Sequence, residues 1–513
     1  MTAMTQTEAD VLEKISVLLQ KPEDSPPSDQ IDVVLDPAKI IKDLEEFYEL
    51  LKESDAMLKA SVPYLKPPHY RPELPAHGEI EFGILPFWAK HPKEIPDYQD
   101  IPQVFLEFLK LVDGLGLIPQ PTLTPKEYEH LKTAVLSYNA ISPDGTSWGI
   151  GNFGQLDYRW LEAPINMLLV NYYYKKYPWP MAALNDPAKS PHVATIPEGG
   201  NTFAVAGDWG TGGDDAIAVR HAAVHLDPYY LFHLGDVYYT GTPQQSPGQT
   251  FLGPGYEMAH LVDFWPRTHK KSGRSFTMNS NHEMYTGARG LFEDALSSPI
   301  FAHQNGFTYG MLENEFWQVF YLDSAYYSPD FLKMYGALSE DQISFVKSKR
   351  KGNTDKKTIV MTHHTPFDVT GKFEQVKNKK SLLRDVARAL DNNLPDYWYF
   401  GHIHDGIAYA PKKVVASKHG PKIPGTCHMR CTGHASMPYG APWALAKVGS
   451  KPPFKKSDFI KDIEFFAQTP KPDYGLHVKN GFMTFTLTGA NIEEAFYDSD
   501  GKRTWFRKSG PTT

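Results

Sequence analysis

Residues 203–239 read FAVAGDWGTGGDDAIAVRHAAVHLDPYYLFHLGDVYY. Two short apolar runs, Phe203-Ala204-Val205-Ala206 and Leu231-Phe232-His233-Leu234, each end in Gly-Asp, and a helix-like segment from about Asp214 to Leu226 lies between them. Strand, helix, strand in that order predicts two parallel neighbours. Their carboxylates, Asp208 and Asp236, then emerge at the same ends of adjacent strands, where open α/β sheets keep their chemistry. The Gly before each Asp lets the backbone turn sharply off the strand. Two converging carboxylates suggest a metal site.

The chain has 513 residues, 41% of them hydrophobic and 22% charged, enough for a large core. Its 52 Lys and Arg against 60 Asp and Glu give a net charge of -8, the wrong sign for a general nucleic-acid binder. The cationic run from Lys347 to Lys357 reads as a solvated helix end and loop. The N-terminus, MTAMTQTEADVLEK, has neither a basic nor an apolar signal region, and Met167 to Val170 is far too short to span a bilayer. The expected setting is therefore soluble and cytoplasmic, with no membrane span. Only Cys427 and Cys431 occur, which excludes a disulfide framework. Half a zinc site on a helix is disfavoured by Pro424, Gly425 and Gly433, so both read as buried thiols.

Two regions are expected. Residues 1 to about 195 carry helical patterning, clearest at Glu8–Leu19 and Pro37–Leu58, and a proline-rich wrap at Pro63–Pro102. Thr124-Pro125 opens another helix, Trp160–Tyr174 is a further one, and Leu184–Gly200 reads as a linker. This mainly helical region shows no chemistry of its own and is a candidate platform for a protein partner. From 200 to 513 strands alternate with helices: Phe276–Met278, Phe316–Leu322, Thr358–Thr362 and Tyr397–Phe400 are strands, and Ser339 with Gln342 caps a helix. Asn480-Gly481 and Asp500-Gly501 are hairpin turn signals, so the chain is expected to end in antiparallel strands completing a second sheet. The fold class is thus α/β, with an α+β tail.

Five clusters fall in order at or after predicted strand ends: Gly207-Asp208-Trp209-Gly210, Gly235-Asp236-Val237-Tyr238-Tyr239, Asn281-His282-Glu283, Val360-Met361-Thr362-His363 and Gly401-His402-Ile403-His404. Each alone is weak; all five in one order, each at a strand end, are a different matter. In order and chemistry they resemble the calcineurin-like metallophosphoesterase superfamily, in detail its purple acid phosphatase branch, over roughly residues 200–440. The resemblance implies a four-layer α/β/β/α sandwich with two metal ions at the strand ends. Asp236 would bridge the metals; Asp208, Tyr239 and His404 would complete one site, and Asn281, His363 and His402 the other. His282 would act as an uncoordinated acid.

These residue types suit the task physically. A shared carboxylate can hold two cations about 3.5 to 4 Å apart, a spacing that lets one hydroxide bridge them and attack phosphorus in line. Carboxylate, amide and imidazole ligands suit iron, manganese and zinc. A phenolate at Tyr239 would be stabilised by trivalent iron, so Fe(III) beside a divalent Fe, Zn or Mn is the favoured pair, and two Mn or two Zn the alternative. Three features depart from the pattern or leave it open. Ser280 stands where the family usually has Gly, His364 competes with His363 as ligand, and His434 reads as a turn residue with no direct role, the alternative being a place in the pocket lining. The expected function is a dinuclear metal-dependent phosphoric ester hydrolase acting on a phosphate ester; the alternative is a catalytically silent scaffold that binds a protein.

Overall fold

The computed structural model describes residues 162–171, 175–182, 186–198, 201–244, 251, 256–270, 273–415, 420–438, 440, 445–447, 450, 454–469 and 478–509. The helices expected at Glu8–Leu19, Pro37–Leu58 and Thr124-Pro125, and the wrap at Pro63–Pro102, lie outside the described residues.

In chain order the strands are β1 (His192–Thr195), β2 (Thr202–Ala206), β3 (Tyr230–His233), β4 (Arg274–Thr277), β5 (Gly310–Glu313), β6 (Trp317–Tyr321), β7 (Lys357–Thr362), β8 (Tyr397–Phe400), β9 (Gly406–Tyr409), β10 (Lys412–Val415), β11 (Ile423–Thr432), β12 (Ile463–Phe466), β13 (Gly481–Thr488), β14 (Asn491–Asp498) and β15 (Arg503–Ser509). One sheet runs β1-β5-β6-β7-β8-β11-β9-β12 with β10 on β11; the other runs β15-β14-β13-β2-β3-β4. The helices that matter for the site and its layers are α1 (Glu162–Leu169), α2 (Asp214–His225), α3 (Ala259–Phe264), α4 (Asn281–Met284), α5 (Glu340–Arg350) and α6 (Leu382–Ala389). No helix among the described residues is long and apolar enough to cross a membrane.

The central strands, β2, β3 and β8 among them, read as unbroken apolar runs because both of their faces are covered. On β2, Phe203 and Val205 enter the core between the sheets, whereas Ala204 and Ala206 face an outer layer holding Ala216, Val219 and Ala223 of α2. Phe203 stacks on Phe485 of β13 at 4.3 Å, and Phe232 on Phe276 at 4.6 Å. On the far side Phe320, Val360, Trp398 and Phe400 pack with Ile343 and Val346 of α5 and Leu383 and Val386 of α6. The result is helices, sheet, sheet, helices, as expected.

α5 is capped by Ser339, whose hydroxyl accepts from the Gln342 N–H at 3.2 Å. Gln342 does not close the capping box. Its side chain instead exchanges two hydrogen bonds with the Asp323 backbone, at 2.8 and 2.9 Å. Two further expectations need correcting. Leu184–Gly200 is not a linker throughout, since β1 within it is a parallel edge strand of the larger sheet, paired with β5. Asn480-Gly481 is not a hairpin turn: Gly481 begins β13, and the buried Asn480 side chain donates to the carbonyls of His434 and Met437. Gly489, in the left-handed region, makes the turn between β13 and β14. Cys427 and Cys431 lie on β11, a strand, and are buried free thiols.

A fully buried ion pair ties the sheets. Arg430 of β11 meets Glu494 of β14 through two nitrogens, at 3.0 and 2.8 Å, and both side chains are fully buried. The guanidinium also donates to the carbonyls of Tyr409 and Met429, and the Tyr399 hydroxyl donates to Glu494. Removing one partner strands the other charge in the core. Arg430→Ala should therefore lower stability to urea by about 3–5 kcal/mol, while Arg430→Met with Glu494→Leu should cost far less. Equal losses in the single and double variants would show that packing, not charge, sets the cost.

Candidate metal centre

Strands from both sheets deliver the site at their C-terminal ends. β2 and β3 are parallel in register Phe203 to Tyr230 through Ala206 to His233, so Asp208 and Asp236 leave neighbouring strands side by side. β4 leads to Asn281 at the start of α4, and the parallel neighbours β7 and β8 lead to His363 and to His402 and His404. All these side chains are at most 4% exposed. The backbone is left-handed at Asp208 (φ 59°), Gly235 (φ 102°), Asp236 (φ 76°) and His402 (φ 67°), which swings each loop off its strand. At Gly235 the space is also taken: a Cβ there would lie 2.6 Å from that of Ser280. A Cβ on Gly401 would lie 2.5 Å from Asp208 Oδ2. Trp209 anchors the first loop by donating to the Ala216 carbonyl at 2.8 Å.

Hydrogen bonds fix which atoms face the centre. His363 Nδ1 lies 2.9 Å from the Leu234 carbonyl, an acceptor only, so Nδ1 carries the proton. Burial pushes this imidazole down to about 3, which keeps it neutral and leaves a lone pair on Nε2. That lone pair faces Asn281 Oδ1 at 2.8 Å and Asp236 Oδ1 at 3.3 Å. With His363 neutral the second approach is not an ion pair. Asn281 is oriented by its Nδ2, which donates to the Tyr285 hydroxyl at 3.0 Å, and its Oδ1 also lies 3.2 Å from His402 Nδ1. Asp236 Oδ1 is buried and accepts no hydrogen bond. Lone pairs thus converge where donors are too few. A cation fits such a group.

A second group adjoins it. The Tyr238 hydroxyl lies 3.3 Å from Asp208 Oδ1, 2.9 Å from Asp236 Oδ2 and 3.0 Å from His404 Nε2, and His404 Nε2 is 3.4 Å from Asp208 Oδ1. The phenol has one proton for two carboxylate oxygens and lies beside an imidazole nitrogen, a buried, oxygen-rich donor set that also suits a cation. Asp208, Asp236 and His404 offer ligand atoms within 4.8 Å of one another, and so do His363, His364 and His402. His364 is nonetheless committed elsewhere, since its Nδ1 meets the Ser324 hydroxyl at 2.9 Å and its Nε2 the Lys333 carbonyl at 2.7 Å.

The phenol in the site is therefore Tyr238, not Tyr239. The backbone of Tyr239 is tied into the loop: its N–H donates to Glu257 Oε1, and its carbonyl accepts from His282 Nδ1, each at 2.5 Å. Two successive left-handed residues, Gly235 and Asp236, reset the chain before Tyr238, so spacing along the sequence does not show which tyrosine turns inward. Ser280 is extended (φ -137°) and unstrained, and it caps α4 by accepting from the His282 N–H. Its hydroxyl also accepts from the Asp236 N–H at 3.1 Å and donates to Glu283, whose carboxyl is pushed up to about 7 by burial and by the Asp236 charge. His282 sits with Nε2 3.8 Å from Asp236 Oδ2. His434 supports the turn after β11: its carbonyl accepts from Gly481 and Asn480, and its ring lies beside Phe496. Glu257, which holds the Tyr239 loop, escaped the sequence reading; an isolated acid at the end of a loop carries no motif.

Comparisons with known proteins come last. No curated protein matches the chain. Among solved structures, the Plasmodium protein GAP50, described as the anchor in the inner membrane complex, is 12% identical. The match covers 60% of this chain and 88% of that one, with a TM-score of 0.38. A second structure is 10% identical over 44% of this chain and 90% of that one, with a TM-score of 0.22. Likenesses this distant assign no function. Residues 202–406, which include every residue of both groups, match the family model of the calcineurin-like phosphoesterases.

Proposed function

We propose that this chain hydrolyses phosphoric esters with two metal ions held at the strand ends. Asp208, Tyr238 and His404 would hold one, Asn281, His363 and His402 the other, and Asp236, which faces both groups, would be shared. The observation that carries this reading is the buried convergence of lone pairs from both sheets, with too few protons among them. A protein-binding scaffold on the same fold has no use for it. Bound there, the cations would supply Lewis acidity and lower the pKa of water in the site. Oxygen and imidazole donors select iron, manganese or zinc, and a phenol favours Fe(III) beside a divalent Fe, Zn or Mn.

The protein's own part is geometry and proton delivery. The Asp236 N–H is held by Ser280 and Glu283, which keeps the shared carboxylate between the two groups. His282 is fully buried, and its Nδ1 proton is given to the Tyr239 carbonyl. Only Nε2 is then left to donate to a leaving alkoxide.

Asp236→Asn should abolish hydrolysis and lower metal content at both positions, measured by elemental analysis; two metals per chain with near-normal turnover would refute the shared role. Aerobically purified protein should be coloured by charge transfer from phenolate to Fe(III), and Tyr238→Phe should bleach it while Tyr239→Phe should not. An active, colourless protein holding only Mn or Zn would exclude iron. His282→Ala should keep its metals and lose roughly 10²- to 10⁴-fold on esters with poor leaving groups, and much less on nitrophenyl esters. Equal losses on both would remove the acid role.

A further inference from the structure

Glu257 is a heavily bonded buried carboxylate near the site, and it touches none of the metal-facing atoms named above. It is 1% exposed and lies just before α3. Oε1 accepts from the N–H of Tyr239; Oε2 accepts from the N–H of Thr240 at 2.9 Å, the N–H of Thr242 at 3.2 Å and both threonine hydroxyls, at 3.2 and 3.3 Å. In return the Glu257 N–H donates to Thr242 Oγ1 at 3.0 Å, and the Met258 N–H to the Thr242 carbonyl at 3.1 Å. The carboxylate therefore pins the base of the loop that follows Asp236.

One of those bonds has a chemical consequence. The N–H of Thr240 and the carbonyl of Tyr239 belong to the same peptide group. Its N–H end meets a buried carboxylate, and its C=O end meets His282 Nδ1. A carboxylate on an amide N–H pushes electron density onto the carbonyl oxygen, and in a buried, low-dielectric setting such chains of hydrogen bonds strengthen one another. The Thr286 hydroxyl, 3.0 Å from the Thr240 carbonyl, and Asn166 of α1, 3.1 Å from Thr240 Oγ1, brace the same stretch from other sides.

We propose that Glu257 is a positioning residue for His282, acting through the peptide group between Tyr239 and Thr240: it fixes that carbonyl and strengthens it as the acceptor that holds the imidazole with Nε2 toward the substrate. The proposal rests on the reading of His282 as leaving-group acid, but part of its test does not.

In the wild-type protein the His282 Nδ1 proton should resonate far downfield, assigned by its loss in His282→Ala, and Glu257→Gln should shift it upfield. An ordinary imidazole shift in the wild type, or a resonance indifferent to Glu257→Gln, overturns the relay whatever the enzyme hydrolyses. In turnover, Glu257→Gln should keep metal content and KM and lower kcat about 10-fold on phenyl phosphate, a part of what a general acid supplies, with little change on nitrophenyl phosphate. In a His282→Ala background the same substitution should have no further effect. Lost metal, equal losses on both esters, or additive losses in the double variant would make Glu257 a structural clamp only. If the wild type hydrolyses no ester at all, the functional reading fails, and the resonance still decides the relay.

Discussion

The structure turns on one electrostatic problem: carboxylate, carbonyl, phenol and imidazole atoms are brought together out of water with too few protons to share among them. Uncompensated, a buried carboxylate costs several kcal/mol, and burial of several lone pairs around it compounds the cost. The problem is created by the sandwich itself. Parallel strands β2 and β3 of one sheet and β7 and β8 of the other all end on the same side, so their loops have a single crevice to fill. Cations would be the natural remedy, and the charge that would stabilise the cluster would also make it a Lewis acid.

Holding that arrangement takes a surrounding layer of ordinary hydrogen bonds. Leu234 fixes the tautomer of His363, Tyr285 fixes the amide of Asn281, and Ser280 with Glu283 holds the Asp236 N–H. The His402 N–H donates to Asp208 Oδ2 at 2.9 Å, a contact that ties a loop of the larger sheet to a loop of the smaller one. Further along, Arg430 and Glu494 join β11 to β14 in the core between the sheets. The site is therefore only as rigid as the contact between the two sheets, and several of its distances depend on that contact.

Segments before β2 take part as well. β1 extends the larger sheet, Tyr177 stacks on Phe292 at 4.8 Å, and Asn166 reaches Thr240 beside the Glu257 clamp. The described residues between 162 and 198 thus belong physically to the sandwich although they carry none of the proposed ligands. The sequence reading separated them because a four-residue edge strand with alternating exposure, as at His192–Thr195, leaves too short an apolar run to register.

What the sequence determined by itself was the α/β alternation, its parallel strand ends and the carboxylates and histidines placed there, whereas the four-layer sandwich was implied only by the resemblance those clusters carry. Apolar runs ending in Gly-Asp, and histidines following such runs, are local patterns, and local patterns survive in one dimension. Which tyrosine enters the site, which of two adjacent histidines faces it and which carboxylate steadies its acid were decided by tertiary structure. Tyr238 and Tyr239 differ by a single residue after two left-handed turns, and only the position of Asp208 and His404 across the crevice selects one. His363 and His364 look alike in sequence until Ser324 and Lys333, far along the chain, occupy both nitrogens of the second. Glu257 has no pattern at all, because its role lies in the peptide groups it meets, and peptide groups have no sequence.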